Sequence, residues 1–317
     1  MTITATGFYD GVPAETYHGR LTDVPSLSSS GAREIMNTCP ARFWARSYLN
    51  PQRVSEKKQE FDLGTAAHLA LLEPHLLATR VRMIDAPDYR KGSAQAERDD
   101  AYAAGLTPLL TKQADQIGEM REALIRRGHY EKWISGGVIE RSFVAKDETL
   151  GIAFKARPDV FHNGKRIIVV DYKTTSDANP RGADKKFSLL GYERQEAWYR
   201  SVIASVLGRP IDRFVFLVQE TAAPYESVAI ELDPRAVEWG SLQNAKAVEL
   251  FWRCLQSGVW PGYPDGDGEG GTHRIGLPVY AEMQLEERHE RGEFQIIDET
   301  AAKRAWYEAQ QPQRVTA

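Results

Sequence analysis

The pattern of hydrophobic and polar positions predicts mainly helices in the first third of the chain. Residues 26–49 begin with serines that can cap a helix and continue with apolar residues at helical spacing. Residues 60–78 and 107–128 show the same spacing. Between them, residues 86–105 are polar and small, so we expect a surface connection there.

The pattern changes between residues 136 and 175, where three strand-like segments follow one another. The turns between them carry Gly151 and the sequence His-Asn-Gly-Lys at 162–165, which is typical of a β-hairpin. A helix over 189–207, two further strands and a helix over 235–258 complete the order. This order predicts an α/β fold with a central mixed β-sheet flanked by helices and an N-terminal helical region.

We expect one domain over residues 1–283. Its helical part covers residues 1–135 and its α/β core covers residues 136–283. The remaining residues, 284–317, are rich in charged side chains, which predicts a C-terminal extension that is partly flexible and dispensable for chemistry.

Composition restricts the classes of protein to consider. The 317 residues carry a formal net charge of -4, so any contact with nucleic acid must come from a local basic patch. Two widely spaced cysteines, Cys39 and Cys254, cannot form a four-thiolate zinc or iron–sulfur site, and they favour a reducing, cytoplasmic location. The sequence shows no apolar run of about 18 residues and no secretory signal, so we expect no membrane helix.

Candidate chemistry lies at the end of the apolar strand segment 167–170. Asp171 and Lys173 follow it, and the alternation of a strand places both side chains on one face of the sheet. Tyr172 points to the other face, although its backbone carbonyl remains available. The hairpin at 162–165 would bring Asp159 beside Asp171.

Two carboxylates at close range repel each other, so one would take up a proton unless a cation lies between them. A divalent cation such as Mg²⁺ or Mn²⁺ removes that conflict, because it prefers oxygen ligands. Lys173 could then orient or activate a water molecule, or stabilise negative charge in a phosphoryl transition state. The alternative is a surface ion pair at a strand end, which would contribute little to stability.

Three further features are candidates for the same chemistry. Gln195 and Tyr199 lie four residues apart in a predicted helix and share one face, as they also would in an ordinary amphipathic helix. His68 follows small residues that would let its helix approach the sheet closely, although a lone helical histidine is more often structural. Glu140 lies on the first strand of the core, where an exposed structural glutamate explains it equally well.

Together these residues resemble the motifs of a known enzyme superfamily. Pro158-Asp159 followed by Asp171-Tyr172-Lys173 resembles the signature of the PD-(D/E)XK nucleases. "GTAAHLALLEP" at 64–74 resembles the G-x-x-x-H helix of the RecB-type and exodeoxyribonuclease VIII-type branches, and "QEAWY" at 195–199 resembles their Q-x-x-x-Y motif. The iron–sulfur members of the RecB-type branch need four cysteines, which excludes that group.

The N-terminal segment resembles one particular branch of this superfamily. "YHGRLTDVPSLSSSGAREIMNTCPARFWA" at 17–45 is similar to the opening of the phage and prophage exodeoxyribonuclease VIII (RecE-like) nuclease domains. "WPGYPDG" and "IGLPVYA" resemble their closing segment, so the resemblance spans about residues 17–283. A Gly- and Asp-rich insertion at 266–271 and the charged extension depart from the family but touch no motif position.

This resemblance implies a restriction-endonuclease-like core and a set of roles. The implied metal ligands are His68, Asp159, Asp171 and the carbonyl of Tyr172. The implied catalytic residues are Lys173, Asp159, Asp171, Glu140 and Gln195, and the implied DNA contacts are Gln195 and Tyr199.

The activity that the resemblance implies is a Mg²⁺- or Mn²⁺-dependent exodeoxyribonuclease. It would degrade linear double-stranded DNA from 5′ to 3′ and leave 3′ single-stranded overhangs for recombination. The implied partners are double-stranded DNA, a single-strand annealing protein and further copies of the chain in a ring.

Three alternatives stay open at this point. The first is an endonuclease or a helicase-associated nuclease of the same superfamily; the chain has no G-x-x-x-x-G-K-[ST] loop, so a helicase would be another chain. The second is a non-catalytic DNA-binding protein. Against it, such a protein would not need three charged groups in one pocket, because burying charged groups costs free energy of folding. The third is a glycosidase, which leaves Lys173 and His68 unexplained.

Overall fold

The computed structural model describes residues 2–53 and 62–295 of the chain. Its strands are β1 (Gly7–Tyr9), β2 (Ser26–Ser28), β3 (Val81–Ile84), β4 (Thr107–Leu110), β5 (Val138–Ile139), β6 (Ser142–Asp147), β7 (Ile152–Ala156), β8 (Val160–Asn163), β9 (Ile167–Thr175), β10 (Arg213–Glu220) and β11 (Ser227–Ile230). Its helices are α1 (Ala14–His18), α2 (Ser29–Asn37), α3 (Pro40–Arg46), α4 (Asp62–Leu72), α5 (Leu77–Arg80), α6 (Gly92–Ala103), α7 (Thr111–Arg126), α8 (His129–Trp133), α9 (Ala183–Leu190), α10 (Tyr192–Leu207), α11 (Pro234–Ser257) and α12 (Val279–Glu290).

The central sheet has five strands in the order β11-β10-β9-β8-β5. β9 and β10 are parallel, and the other pairs are antiparallel, so the predicted mixed sheet is confirmed. In the β8–β9 hairpin Val160 lies opposite Val170. This register places Asp159 across from Asp171, as the hairpin signal predicts.

Side chains of β9 alternate between two apolar layers. Ile167 and Val169 pack in the cluster that contains Trp198 of α10. Val170 and Tyr172 pack on the opposite face, in a cluster with residues of α4, α7 and α8. Burial of each such side chain contributes roughly 1.5–3 kcal/mol, which fixes the register of the strand. Asp171 and Lys173 therefore continue the row that faces α10.

A second sheet, in the order β1-β6-β7-β2, was not expected from the sequence. β6 and β7 form its central hairpin and pack against α10, while β8 and β9 belong to the central sheet. The chain leaves the second sheet and enters the central sheet at Arg157 and Pro158. Proline has no backbone N–H, so the hydrogen-bond ladder of β7 does not continue through this position. The middle region, where the sequence predicts three strand segments, thus contains five strands, β5 to β9, divided between two sheets.

Three boundaries predicted from the sequence are wrong. Residues 86–105 contain α6, whose Ala94 and Ala101 are buried one above the other while its polar side chains face outward. Residues 107–110 form β4, which pairs in parallel with β3. The helix predicted from residue 189 begins at residue 192, because Gly191 adopts a left-handed conformation (φ 69°) that separates α9 from α10.

The chain divides into two units between Tyr263 and Pro264, and α12 lies in the second unit. The predicted domain end at residue 283 stays a prediction, and residues 296–317 of the predicted C-terminal extension lie outside the described residues. Within the described parts of the chain, no helix has both the length and the apolar character needed to cross a bilayer.

Candidate metal centre

Three side chains from separate parts of the chain converge at one edge of the central sheet. The Nε2 atom of His68, on α4, lies 3.1 Å from Oδ1 of Asp159 and 3.6 Å from Oε1 of Glu140. One candidate ligand atom from each residue lies within 4.8 Å of the other two. This spacing is compatible with three ligands around a single metal ion.

The position of His68 depends on the small residues that precede it. A Cβ atom at Gly64 would lie only 3.2 Å from Oγ1 of Thr174 on β9, and Ala66 and Ala67 are buried. α4 can therefore approach the end of β9 closely. The prediction drawn from the small residues before His68 is confirmed.

Glu140 has an unusual backbone conformation. It directly follows β5, and its φ of 53° lies in the left-handed region that residues other than glycine seldom adopt. Its backbone N–H donates to the carbonyl of Asp159 at 3.1 Å, which holds the turn in place. Strain of this kind persists where the surroundings enforce it, often at functional sites, and here it accompanies a carboxylate turned towards His68.

Asp171 lies beside this cluster and is only 1% exposed. The Lys173 ammonium group forms an ion pair with its Oδ1 atom, so the prediction that both side chains share one face is confirmed. Gln195 of α10 donates from Nε2 to Oδ2 of Asp171 at 2.5 Å. The backbone N–H of Tyr172 donates to Oδ2 of Asp159 at 2.6 Å, which ties the Asp159 carboxylate to β9 directly after Asp171.

The carboxylates of this cluster are electrostatically crowded. Burial, with repulsion from Asp159, raises the pKa of Glu140 to about 8. Burial also raises the pKa of Asp171 to about 6, despite the opposing effect of Lys173. Burial disfavours the charged form of His68, but the neighbouring carboxylates prevail and raise its pKa to about 9. Bound protons and the positive charge of Lys173 thus offset the repulsion between these carboxylates. A divalent cation bound among them would offset it in the same way.

The donor set fits a divalent metal ion. One imidazole nitrogen and several carboxylate oxygens are available together, and hard divalent cations prefer oxygen ligands while tolerating imidazole to different degrees. A cavity of about 300 Å³ is lined by Glu140, Asp159 and Asp171 and gives a substrate access to these carboxylates. Besides the acidic residues and Lys173, the lining of this cavity includes Ser28, which caps α2, and Ser29, Ser30 and Arg33 of α2.

Comparison with known proteins decides the family. The model of a family described as a PDDEXK-like domain of unknown function (DUF3799) matches residues 28–267, which is most of the chain. The chain belongs to this family. The predicted membership of the PD-(D/E)XK superfamily is thereby confirmed, whereas the closer RecE-like resemblance stays a prediction. No curated protein matches the sequence.

The PDDEXK-like chain also resembles solved structures. A crystal structure from Eubacterium rectale, described as a "putative exonuclease", aligns with a TM-score of 0.55 at 14% identity, over 86% of this chain and 97% of that chain. At this identity the likeness shows the fold alone. The crystal structure of SSO0001 aligns with a TM-score of 0.27 at 14% identity, over 59% of this chain and 86% of that chain, which is too low to carry an argument.

The PDDEXK-like site brings together most residues singled out from the sequence, but two of them have other contacts. Tyr199 is buried, and its hydroxyl donates to the carbonyl of Arg157 at 3.0 Å, so it supports the segment before Asp159. The side chain of Tyr172 lies on the far face and donates to Gln219 at 2.7 Å. A metal contact from the Tyr172 carbonyl and DNA contacts from Gln195 and Tyr199 stay predictions.

Arg157 is a residue of the site that the sequence reasoning missed. It is buried; its guanidinium donates to Ser142 at 2.7 and 2.9 Å and to the Val12 carbonyl at 2.9 Å, and Nε lies 3.8 Å from Oε2 of Glu140. The ring of Tyr17 covers the guanidinium at 4.1 Å. The only signal in the sequence is its position directly before Pro158-Asp159.

Tyr192 is a second residue that the sequence reasoning missed. The Lys173 ammonium lies 5.2 Å from the centre of its ring, within the range of a cation–π contact. Burial lowers the pKa of Lys173, but Asp171, Asp159 and Tyr192 outweigh it and the net shift is upward. Lys173 is thus held in its charged form.

Proposed function

We propose that this PDDEXK-like chain is a metal-dependent nuclease that hydrolyses phosphodiester bonds in DNA. One observation carries the proposal. His68, Glu140 and Asp159 form a compact set of ligand atoms, and the buried Asp171–Lys173 pair lies directly beside it. Metal-assisted phosphoryl transfer uses such a set of ligands for the ion and a cationic side chain that stabilises negative charge on the phosphoryl group.

The residues have distinct tasks in the proposed reaction. His68, Asp159 and Asp171, with Glu140 and the Tyr172 carbonyl as further donors, would hold Mg²⁺ or Mn²⁺. The bound ion would polarise the scissile phosphate and assist deprotonation of water. Lys173 places a positive charge where negative charge builds up on the phosphoryl oxygens. Gln195 fixes the orientation of the Asp171 carboxylate through its hydrogen bond.

We propose further that the enzyme is an exonuclease on linear double-stranded DNA. It degrades one strand from 5′ to 3′ and leaves 3′ overhangs for recombination. The resemblance of residues 17–45 to RecE-like nuclease domains supports this activity, and so does the description of the similar Eubacterium rectale structure. A ring-shaped homo-oligomer around DNA and a single-strand annealing partner follow from the same resemblance.

The substrate form distinguishes this proposal from its alternatives. Purified protein with Mg²⁺ is incubated with relaxed covalently closed circles and with the same circles after linearisation. An exonuclease degrades only the linear DNA, because it needs a free end. Cleavage of closed circles would instead identify an endonuclease, and binding without cleavage of either form would identify a non-catalytic DNA-binding protein.

A further inference from the structure

A second cavity, of about 140 Å³, begins where the candidate catalytic centre ends. Lys173 lines both this cavity and the larger one over the metal ligands. The other walls of the second cavity are the end of β9, the loop at 175–182, α9, the start of α10, and Val218 and Ile230 of β10 and β11. A DNA strand that passes Lys173 would therefore have one of these cavities on each side of this residue.

Most of the charged side chains that line the second cavity are cationic. Lys173, Arg181 and Lys186 contribute positive charges, against a single carboxylate from Asp177 among the described residues. The Lys186 ammonium group donates to Oγ1 of Thr175, which holds it at the cavity wall. Within residues 2–53 and 62–295 the Arg181 guanidinium has no ion-pair partner, so its charge is available to a ligand.

The loop that carries Arg181 is held by its own side chains. The backbone N–H of Asp177 donates to Oγ1 of Thr175 at 3.2 Å, and that of Asn179 donates to Oδ1 of Asp177 at 2.8 Å. The N–H of Arg181 in turn donates to Oδ1 of Asn179 at 3.0 Å. Successive turns of this kind fix the backbone, so less conformational entropy is lost when a ligand binds.

An aromatic wall completes the cavity. Tyr192 stacks on Phe216 with 5.2 Å between ring centres, and Phe187 meets the Tyr192 ring edge-on at 4.8 Å. Both Tyr192 and Phe187 line the cavity. Phe187 is buried and the Tyr192 ring already stacks on Phe216, so this wall offers a nucleotide an apolar contact beside the cationic groups that bind its phosphate.

We propose that the second cavity binds the DNA strand immediately next to the scissile phosphate. Arg181 and Lys186 contact a phosphodiester group of that strand, and the attached nucleotide lies against the aromatic wall. The ligand class is single-stranded DNA. This inference rests on the proposed nuclease function, because it extends the path of the substrate beyond Lys173.

The test measures binding and needs no cleavage. Asp171→Asn protein with Mg²⁺ is titrated with a fluorescent single-stranded oligodeoxynucleotide of about 12 nucleotides. Anisotropy is recorded at several salt concentrations. Each phosphate contact on a single strand contributes about -0.7 to the slope of log K against log salt. Arg181→Ala and Lys186→Ala are each expected to flatten that slope by about 0.7 and to weaken binding several-fold.

Lys185→Ala is the matched control. Lys185 is the exposed neighbour of Lys186 on the same helix but does not line the cavity. Its removal should leave the slope unchanged. The inference is overturned if Arg181→Ala and Lys186→Ala both keep the parent slope, or if Lys185→Ala flattens it equally, since a diffuse surface charge would then explain the binding.

Folding and function are checked separately. Each titration is accompanied by a thermal melt of the same variant. If Lys186→Ala has a lowered melting temperature, Lys186→Gln replaces it, because glutamine keeps a hydrogen-bond donor for Thr175. The glutamine variant is expected to flatten the salt dependence of binding by the same amount. If the wild-type chain cleaves no DNA at all, the proposed nuclease function fails. The three binding slopes still decide whether the second cavity holds a DNA strand.

Discussion

The Nε2 atom of His68 lies 3.1 Å from Oδ1 of Asp159, although the two residues come from α4 and from the turn before β8. In this arrangement a proton on Nε2 occupies the position from which the imidazole would ligate a metal ion. Metal binding therefore displaces that proton, and the affinity for metal should depend on His68 directly.

We expect His68→Ala to weaken Mn²⁺ binding by at least about tenfold, since even the loss of a supporting contact to a ligand typically costs 10- to 100-fold. Isothermal titration calorimetry with MnCl₂ measures the affinity. His75→Ala is the control, because His75 is exposed on the neighbouring turn and has no contact with the cluster. Equal affinities of wild-type and His68→Ala protein would remove His68 from the ligand set.

Lys173→Ala should lower the rate of cleavage by about 10²–10⁴-fold, the usual cost of losing one electrostatic or proton-transferring group. Lys173→Arg should rescue poorly, because a planar guanidinium differs in shape from the compact ammonium group. Single-turnover digestion of end-labelled duplex with saturating Mg²⁺ measures the rate. An unchanged rate in Lys173→Ala would show that this residue is structural.

Burial of Asp171 changes the expected effect of Lys173→Ala on folding. An exposed pair, as the sequence alone suggests, would contribute little. Asp171 is 1% exposed, however, and removal of one partner of a buried pair can cost about 3–5 kcal/mol. The melting temperature should therefore fall without metal and recover in part with Mg²⁺. Rates must be measured below that melting temperature.

Tyr199→Phe should affect stability more than DNA binding. The variant loses the hydrogen bond to the Arg157 carbonyl, which contributes about 0.5–1.5 kcal/mol to folding. Urea unfolding measures this loss, and anisotropy with duplex DNA measures the affinity. A weakened affinity at unchanged stability would support the DNA contact that the resemblance implies for Tyr199.

The buried carboxyl group of Glu196, which is not part of the candidate site, should make the stability of the fold depend on pH. Burial, opposed by Arg200, raises its pKa from 4.5 to about 7. Between these values the folded state holds a proton that the unfolded state has lost, so stability falls as the pH rises through this range.

Glu196→Gln removes this titration and keeps the hydrogen bond to Arg200 that the wild type forms at 2.8 Å. Relative to the wild type, the variant should gain about 1–3 kcal/mol in the free energy of unfolding between pH 5 and pH 8. Urea unfolding at both pH values gives the comparison. An equal difference between the two proteins at pH 5 and pH 8 would contradict the assignment.

The sequence predicts the centre of the site because local rules determine it. Strand alternation places Asp171 beside Lys173, and the Asn163–Gly164 turn brings Asp159 opposite Asp171. Small residues indicate the close approach of α4. These relations depend on spacing along the chain, which the sequence displays.

The sequence does not predict relations that depend on packing between distant segments. The second sheet forms because the chain crosses between layers at Arg157 and Pro158, and Arg157 binds Ser142 and Val12 only after that crossing. Tyr199 shares a helix face with Gln195 as predicted, but the depth of α10 in the core turns its hydroxyl to a backbone carbonyl. α6 was missed because its buried residues are alanines, which give a weak apolar signal.

The most direct test of the metal-dependent nuclease is the release of nucleotides from end-labelled linear duplex DNA by wild-type and Asp171→Asn protein, with Mg²⁺ and with EDTA. Asparagine keeps the shape of Asp171 and removes its charge. We expect digestion by the wild type only with Mg²⁺, and a loss of at least about 10²-fold in Asp171→Asn while DNA binding remains. Digestion by Asp171→Asn at the wild-type rate, or digestion by the wild type in EDTA, would contradict the account.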